Sequence, residues 1–273
     1  MSFLGASLPF VPPPPPPPPP HKLDEQENRW STCDIEGCER PHPVLCRSSN
    51  GKLVAREKQR SAFAELNDYI VGENKNSTGN TLHIVGLFRS SSTDAQIRSH
   101  LPTLKKLVDA TVHIACQKTK ASREQTKQGQ MLFAPTEINA AFKQALAEWN
   151  PVAISCGSVS HNYYINGFAW AERAGTREMD FVYNHVGVEV QFGKYPYMVY
   201  DVYSKMPIFR KAKIIDFGVE IVPVKAMAAH MSSGIGTFEQ FMFDLEQRVV
   251  SDNDIPALIF GVCPANLRPF RLQ

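Results

Sequence analysis

The feature that most constrains the fold is the stretch Met179–Lys194, M-D-F-V-Y-N-H-V-G-V-E-V-Q-F-G-K. Valine, phenylalanine and tyrosine flank Asn184 and His185 on both sides, and β-branched and aromatic residues favour strands. Asparagine also tolerates the left-handed backbone that a two-residue turn requires. The stretch therefore predicts a β-hairpin with Asn184 and His185 at its tip.

The register of this hairpin brings two acidic side chains together. Asp180 lies opposite Glu189, and directly opposite residues have Cβ atoms roughly 4.5–5.5 Å apart, so that like charges repel. Alternation along the strand places Gln191 on the same face as Glu189, while Val190 points towards the core. Two carboxylates and a carboxamide oxygen on one patch suit a hard divalent cation. From this geometry alone, two solvent-exposed acids on an amphipathic hairpin are an equal alternative.

Composition excludes some classes of protein and leaves others open. The 273 residues, 43% of them hydrophobic, suffice for one large domain or for a domain with a small appendage. A net charge of +2 gives no overall basic field, so a nucleic-acid surface would have to be local. No apolar run reaches the roughly 18–20 residues that span a bilayer, and the N-terminus lacks the pattern of a signal peptide. We expect a soluble, cytoplasmic protein.

The first eighty residues differ in composition from the rest. Pro12–Pro20 is an unbroken proline run, which forms neither helix nor sheet and predicts a stiff polyproline II arm. It is typical of a linker, with docking to an aromatic groove on a partner as the alternative. We expect residues 1–80 to be a largely irregular extension and residues 81–273 to form the main domain.

A cysteine and histidine cluster follows the proline run. Its spacing could hold a tetrahedral zinc ion in a small knuckle, although it is not a common zinc-finger spacing, and surface cysteines without function are the alternative. Its members are Cys33, Cys38, His42 and Cys46. The other three cysteines are scattered among apolar neighbours and are expected to be reduced core residues.

Helical patterns begin in the second part of the chain. Ser92 and Thr93 can cap a first helix, with Pro102 interrupting it or starting a turn. A second helix is predicted after Thr136, and a third after Thr237, which begins a capping box.

Strands are predicted at the hairpin, in the run Ile214–Val224 and in the apolar segment Ala257–Val262. The order of helices, hairpin, strand, helix and strand predicts an α/β domain whose mixed β-sheet is flanked by helices.

Four segments carry a resemblance to a known family. They are T-K-A-S-R-E-Q-T-K-Q-G-Q (Thr119–Gln130), E-V-Q-F-G-K-Y (Glu189–Tyr195), F-G-V-E-I-V-P (Phe217–Pro223) and M-S-S-G-I (Met231–Ile235). In order and separation they resemble the type II restriction endonucleases of the BglII and BstYI group, and most closely the BstYI branch, over about Leu82–Pro264. Asp180 with Glu189-x-Gln191 is then similar to the D…(D/E)-x-K metal site of the PD-(D/E)XK superfamily, with glutamine in place of the usual lysine.

The resemblance implies a fold, an activity and a cofactor. It implies a restriction-endonuclease-like core and a homodimer that uses Mg²⁺ to cut both strands of a GATC-centred palindrome, leaving 5′ overhangs. The site would be AGATCT or purine-GATC-pyrimidine. Asp180, Glu189 and Gln191 would be the catalytic and metal-site residues. A DNA methyltransferase is expected as a functional rather than a physical partner.

The resemblance also implies residues that contact double-stranded DNA. Lys194 and Ser233 would fall among the base-reading positions, and the basic segment around Lys120 would bind phosphates. The predicted DNA-binding residues are Lys194, Ser232, Ser233, Lys120, Ser122, Lys127 and Gln128. Solvated lysines and turn-forming serines are the alternative.

Two other functions stay open at this point. One is a nuclease of DNA repair or of a mobile element built on the same core. The other is a non-enzymatic DNA-binding or adaptor protein that acts through the N-terminal cysteine cluster. The complete set of Asp180, Glu189 and Gln191 argues against a degenerate nuclease domain.

Overall fold

The computed structural model describes residues 44–47, 53–56, 60–77, 79–155, 175–247 and 254–267. The proline run and the predicted zinc ligands lie outside these residues, except for the backbone of Cys46. The chain divides into two compact units, Met1–Gln59 and Arg60–Gln273. In the first unit, strands β1 (Val44–Arg47) and β2 (Leu53–Arg56) pair in antiparallel fashion.

The main unit begins with a helix that the sequence patterns did not reveal. This helix, α1 (Ala62–Asn76), starts at Ser61, whose side chain accepts a hydrogen bond from a backbone N–H of the first turn. One face is buried in the core, through Ala62, Leu66 and Ile70. We expected the main domain to start near residue 81, whereas the compact unit starts at Arg60 and includes α1.

A six-stranded mixed sheet forms the centre of the main unit. Its strands are β3 (Leu82–Ser90), β6 (Asn150–Ser155), β7 (Thr176–Tyr183), β8 (Val186–Val190), β9 (Phe217–Pro223) and β10 (Ala257–Pro264). Their order across the sheet is β3-β10-β9-β8-β7-β6. The pairs β8–β9 and β9–β10 are parallel and the other pairs are antiparallel. The predicted mixed sheet is confirmed.

Helices cover both faces of this sheet. They are α2 (Asp94–Val112), α3 (Pro135–Ala145), α4 (Tyr195–Tyr200), α5 (Met206–Lys211), α6 (Lys225–Ala228) and α7 (Phe238–Gln247). Apolar side chains of α1, α2 and α3 pack on one face, and those of α4, α5 and α7 pack on the other. This three-layer arrangement confirms the predicted α/β class. Within the described ranges, no helix is long and apolar enough to cross a membrane.

Two smaller elements complete the main unit. A π-helical turn, Asp201–Lys205, joins α4 to α5 without a break. A separate two-stranded sheet consists of β4 (Lys118–Ala121) and β5 (Met131–Phe133), with the 3-10 turn Gln125–Lys127 between them.

The predicted starts of the first and third helices are correct, whereas α3 begins at Pro135 and not after Thr136. Thr93 forms a complete capping box with Gln96 at the start of α2. At the start of α7, Thr237 accepts from the backbone N–H of Gln240. Pro102, however, does not interrupt α2 but lies inside it, on the exposed side. The burial of the opposite face, including Leu101 and Leu104, offsets the hydrogen bond that proline cannot donate.

Candidate active site

The hairpin forms as the sequence predicts and holds the two acids together. Asn184 and His185 have φ angles of 46° and 62°, and the cross-strand pairs run up to Phe181 and Val188. Beyond this pair, the two strands are joined by hydrogen bonds from backbone N–H groups to side-chain carboxylates instead of backbone carbonyls. The Asp180 carboxylate accepts from the Val190 N–H at 3.1 Å, and the Glu189 carboxylate accepts from the Asp180 N–H at 3.4 Å.

Glu189 is buried rather than solvated, and a third acid lies beside it. Parallel pairing of β8 with β9 places Glu189 next to Glu220 on the same face of the sheet. Glu220 is fully buried, and neither of its carboxylate oxygens has a hydrogen-bond partner among the described residues. Burial, and then repulsion by Asp201 and Glu189, raises the pKa of Glu220 well above its ordinary value. The alternative of exposed acids on an amphipathic hairpin is therefore excluded for Glu189.

The π-helical turn adds a fourth acid and a cation from the helical layer. Asp201 and Lys205 stand four residues apart, and the Lys205 Nζ lies 2.8 Å from Asp201 Oδ1 and 2.8 Å from Glu189 Oε2. All three side chains are largely shielded from solvent, with 3% of Asp201 and Glu189 and 13% of Lys205 exposed. We refer to Asp180, Glu189, Asp201 and Glu220 as the acid cluster.

Burial and the attraction between unlike charges have opposite effects on the pKa values in the acid cluster. Burial and the nearby Asp180 raise the pKa of Glu189 to about 9, although Lys205 opposes the shift. Burial lowers the pKa of Lys205, but its attraction to Glu189 and Asp201 outweighs this and leaves the value raised. A protonated Glu189 could accept a hydrogen bond from the ammonium group but would not balance its charge. The two 2.8 Å contacts favour an ionised Glu189, because a neutral one would leave a buried cation with Asp201 alone.

Gln191 is held by its own chain on both sides of its amide. Its Oε1 accepts from the Gly193 N–H at 2.8 Å, and its Nε2 donates to Asp201 Oδ2 at 3.2 Å. The donor contact fixes which end of the amide is the oxygen. One lone pair of that oxygen stays available for water or a cation.

The donor set fits a divalent cation by its chemistry. The acid cluster supplies four carboxyl groups against one ammonium, and the Glu220 oxygens have no partner to satisfy them. Hard cations such as Mg²⁺ prefer such oxygens. Among the described residues, no three His, Cys, Asp or Glu side chains are placed so that they could hold one metal ion together.

Sequence patterns missed Asp201, Lys205 and Glu220, although each left a signal. Glu220 is a charge inside the otherwise apolar strand F-G-V-E-I-V-P, where a charged residue is rarely buried without a role. Asp201 and Lys205 stand four residues apart in the segment after the hairpin, a spacing that places them on one face of a helix.

A second group of predicted residues meets on an exposed surface formed by loops. Three lysines, two on β4 and one in the connection from β4 to β5, donate to or contact the turn that follows α6. Lys120 Nζ donates to Ser232 Oγ at 2.7 Å, and Lys127 Nζ donates to the carbonyl oxygens of Ala229 and Met231. Lys118 Nζ lies 3.0 Å from His230 Nδ1. We refer to this β4–β5 sheet, together with the turn 229–236, as the polar loop surface.

Glu124 joins the two halves of the polar loop surface. Its carboxylate accepts from the Ser233 N–H at 2.9 Å and from the Ser233 hydroxyl at 2.5 Å. These two hydrogen bonds from Ser233 lower the pKa of Glu124. The Ser122 hydroxyl in turn accepts from the Glu124 N–H at 3.2 Å, and Gln128 lies exposed after the 3-10 turn.

A short hydrogen-bonded path connects the acid cluster to the polar loop surface. The Gly193 carbonyl accepts from the Gly236 N–H at 3.1 Å, while the Gly193 N–H donates to Gln191. The next residue, Lys194, is exposed and forms an isolated bridge with Ile235. The structure thus brings Lys194, Ser232 and Ser233 into one region.

Comparison with known proteins shows to which family the chain belongs. The sequence matches the family described as restriction endonuclease BglII/BglIII over residues 91–262, more than half of the chain. The chain belongs to this family. It is a BglII-type restriction endonuclease, and hence a site-specific deoxyribonuclease that acts on DNA.

The endonuclease shows only distant similarity to a solved structure. The crystal structure of free BglII is similar to it with 16% sequence identity and a TM-score of 0.40, over 64% of this chain and 77% of that chain. A comparison with curated proteins finds no match. The region matched by the family contains the whole acid cluster and the whole polar loop surface, whereas α1 and the first unit lie outside it.

Proposed function

We propose that the endonuclease is a type II enzyme that hydrolyses both strands of a GATC-centred palindrome with Mg²⁺ and leaves 5′ overhangs. The observation that carries the proposal is the convergence of Asp180, Glu189 and Gln191 inside a domain of the BglII/BglIII family. The sequence resemblance to the BglII and BstYI group supplies the centre of the recognition site.

The chain's own residues prepare the site for hydrolysis. Asp180 and Glu189 present carboxylate oxygens on adjoining strands, and Gln191 presents an amide oxygen whose direction Gly193 and Asp201 fix. When bound, a divalent cation supplies positive charge for the transition state and activates water. Gln191 cannot act as a general base, because an amide does not take up a proton near neutral pH. The proposed role of Gln191 is to orient the attacking water. The proton of that water then leaves through solvent or a neighbouring phosphate.

The polar loop surface is proposed to bind the DNA. Lys120 and Lys127 donate to the chain's own oxygens, and a phosphate oxygen is a competing acceptor for the same ammonium groups. Lys194 and Ser233 lie where the β8 end and the turn 229–236 meet, and they are proposed to read bases in the major groove. Ser122, Gln128 and Ser232 complete the proposed DNA-binding set.

A homodimer is part of the proposal. One acid cluster per chain must serve two phosphodiesters that the two-fold axis of a palindrome relates. Sedimentation at micromolar concentration, with and without a cognate duplex, measures the oligomeric state. A monomer under both conditions would contradict the dimer and leave the acid cluster assignment standing.

Digestion of a methylation-free plasmid tests the proposed function. We expect Mg²⁺-dependent double-strand cuts, and sequencing of the ends gives the site and the overhang. Plasmids that carry AGATCT alone, or all purine-GATC-pyrimidine sites, decide the outer base pairs; Lys194 and the likeness to BstYI favour the degenerate site. The same plasmid with methylated adenine shows whether a methyltransferase could protect it. Cuts without sequence preference would instead favour a nuclease of repair or of a mobile element.

A further inference from the structure

Lys205 occupies a position that stability alone does not explain. Its ammonium group bridges carboxylates from two layers of the fold, Glu189 on β8 and Asp201 on the π-helical turn, each at 2.8 Å. Burying three charges is costly, and apolar side chains of similar size often give equal or greater stability in such a place. A buried bridge inside a reaction centre therefore suggests a role in that centre.

The backbone around Lys205 is adapted to this contact. A π-helical turn contains one extra residue per turn, is less stable than an α-helix, and occurs preferentially at functional sites. Here it spans Asp201–Lys205 and joins two regular helices. Asp201 and Lys205, four residues apart, both direct their charged groups to the acid cluster.

Lys205 also acts on Gln191 through Asp201. The two oxygens of the Asp201 carboxylate divide their contacts, since Oδ1 binds Lys205 and Oδ2 accepts from Gln191 Nε2 at 3.2 Å. Two of the three proposed metal-site residues, Glu189 and Gln191, are thus oriented by Lys205 directly or through one intermediate.

The geometry points to Lys205 as a positioning residue that serves as an internal counter-cation of the metal site. Its ammonium group orients Glu189 directly and Gln191 through Asp201, and it competes with a divalent cation for Glu189. This inference rests on the proposed function, because it concerns the same site. Its consequence is a pair of opposite effects: loss of Lys205 strengthens cation binding and weakens catalysis.

Lys205→Met tests this pair of effects, with Lys211→Met as the matched control. Lys211 lies at the exposed end of α5, so the control removes the same charge from the same helical segment without touching the acid cluster. Calcium alone, titrated into the dimer without DNA and followed by calorimetry or thermal shift, measures cation binding. We expect a midpoint about tenfold lower for Lys205→Met than for the control, because a repelling charge is gone.

Cleavage kinetics supply the second half of the test. With Mg²⁺ and a cognate duplex, we expect kcat of Lys205→Met to fall by about 100-fold, because Glu189 and Gln191 lose their orientation. KM for the duplex should stay within about threefold of wild type, since the polar loop surface is unchanged.

Several outcomes would overturn the inference. A calcium midpoint equal to that of Lys211→Met, weaker calcium binding, or no calcium binding in any variant would each exclude a counter-cation. If Lys205→Met does not fold, Lys205→Gln replaces it. Its amide removes the charge but keeps a donor for the carboxylates, so calcium should still bind more tightly than in the control, while kcat should fall less than 100-fold. Loss of folding in both variants, seen by circular dichroism, would assign Lys205 a purely structural role. Failure of the wild type to cut DNA would refute the proposed function but not the calcium result.

Discussion

The acid cluster and the polar loop surface are built on opposite principles. In the acid cluster, side chains from β7, β8, β9 and a helical turn come together, and all but the half-buried Asp180 are shielded from solvent, so that a change in one affects the others. On the polar loop surface, exposed lysines donate to oxygens of a neighbouring turn, as Lys120 does to Ser232. Breaking a buried ion pair costs about 3–5 kcal/mol, whereas an exposed pair contributes about 0–1 kcal/mol.

This difference matches the two tasks proposed for the regions. Reaction chemistry requires groups that hold their positions before the substrate arrives. DNA binding requires cations that can exchange an internal acceptor for a phosphate oxygen at little cost. The variants below test this contrast, in order of decreasing effect.

The largest effect should follow from removal of a carboxylate in the acid cluster. Asp180→Asn or Glu189→Ala should lower the cleavage rate by about a thousandfold or more, because the charge that stabilises the transition state can no longer be held. Gel shift in calcium should still show cognate DNA binding. Glu246→Ala, an exposed acid of α7, is the control and should cut normally. Near-normal cleavage by either variant would refute the site assignment.

A smaller effect should follow from a change between the two regions. A Cβ added at Gly193 would lie 2.4 Å from Gln191 Oε1, so Gly193→Ala must displace the Gln191 amide. We expect kcat to fall by about 10–100-fold with KM for DNA nearly unchanged. Gly72→Ala on α1 is the matched control, since nothing lies within 4 Å of its added Cβ. Equal activity of the two variants would show that the orientation of Gln191 is irrelevant.

A change confined to the polar loop surface should alter selectivity rather than rate. Glu124→Ala removes both acceptors of Ser233 and leaves its turn without this anchor. We expect about a tenfold loss of discrimination between the cognate site and sites with one altered base pair. The rate on the cognate site should stay within about threefold, as measured by competition digests beside Glu246→Ala. An unchanged discrimination ratio would exclude Glu124 from site recognition.

The buried Glu220 should make the stability of the folded protein depend on pH. Its pKa in the folded protein lies well above the ordinary 4.5, so the folded state keeps a proton that the unfolded state loses. Stability should therefore fall as pH rises above 4.5, by up to about 1.4 kcal/mol per pH unit until the folded-state pKa is reached. Glu220→Gln removes this fall, so denaturant titrations should show a gain over wild type that increases from pH 5 to pH 7. A gain independent of pH would mean that Glu220 is ionised in the fold.

The smallest effect on the chemistry should follow from removal of the first unit. A truncation that begins at Arg60 should keep the recognition site and the cleavage rate at saturating enzyme, with weaker DNA affinity at higher salt. Truncation at Asn80 is the instructive partner, because it also deletes α1, including Leu66, and exposes the core that α1 covers. That longer deletion should unfold the main unit. A folded but inactive Arg60 truncation would place the first unit in the active dimer.

Zinc analysis of the full chain and of Cys38→Ser tests the predicted knuckle.

The hairpin could be predicted from the sequence because residues close together in the chain determine it. Turn residues and period-two alternation fix the register, and the register alone sets Asp180 against Glu189. The parallel pairing of β8 with β9 is not local, so the contact of Glu189 with Glu220 could not be deduced. The π-helical turn has no sequence pattern of its own, which hid Asp201 and Lys205. The composition of the proline run and the cysteine cluster predicts no regular structure up to residue 80, and this prediction hides the capped, amphipathic α1.

The hydrogen bonds of Gly193 bear on how the enzyme discriminates between DNA sequences. Its N–H and its carbonyl serve opposite neighbours, the amide of Gln191 on one side and the N–H of Gly236 on the other. A poorly matched sequence that displaces the turn 229–236 would pull on the peptide group that aligns Gln191. We expect near-cognate DNA to bind but to be hydrolysed more slowly than cognate DNA. The enzyme would then discriminate between sites by the rate of hydrolysis after binding rather than by the fraction of DNA that is bound. Single-turnover rates on bound near-cognate duplexes would measure that delay.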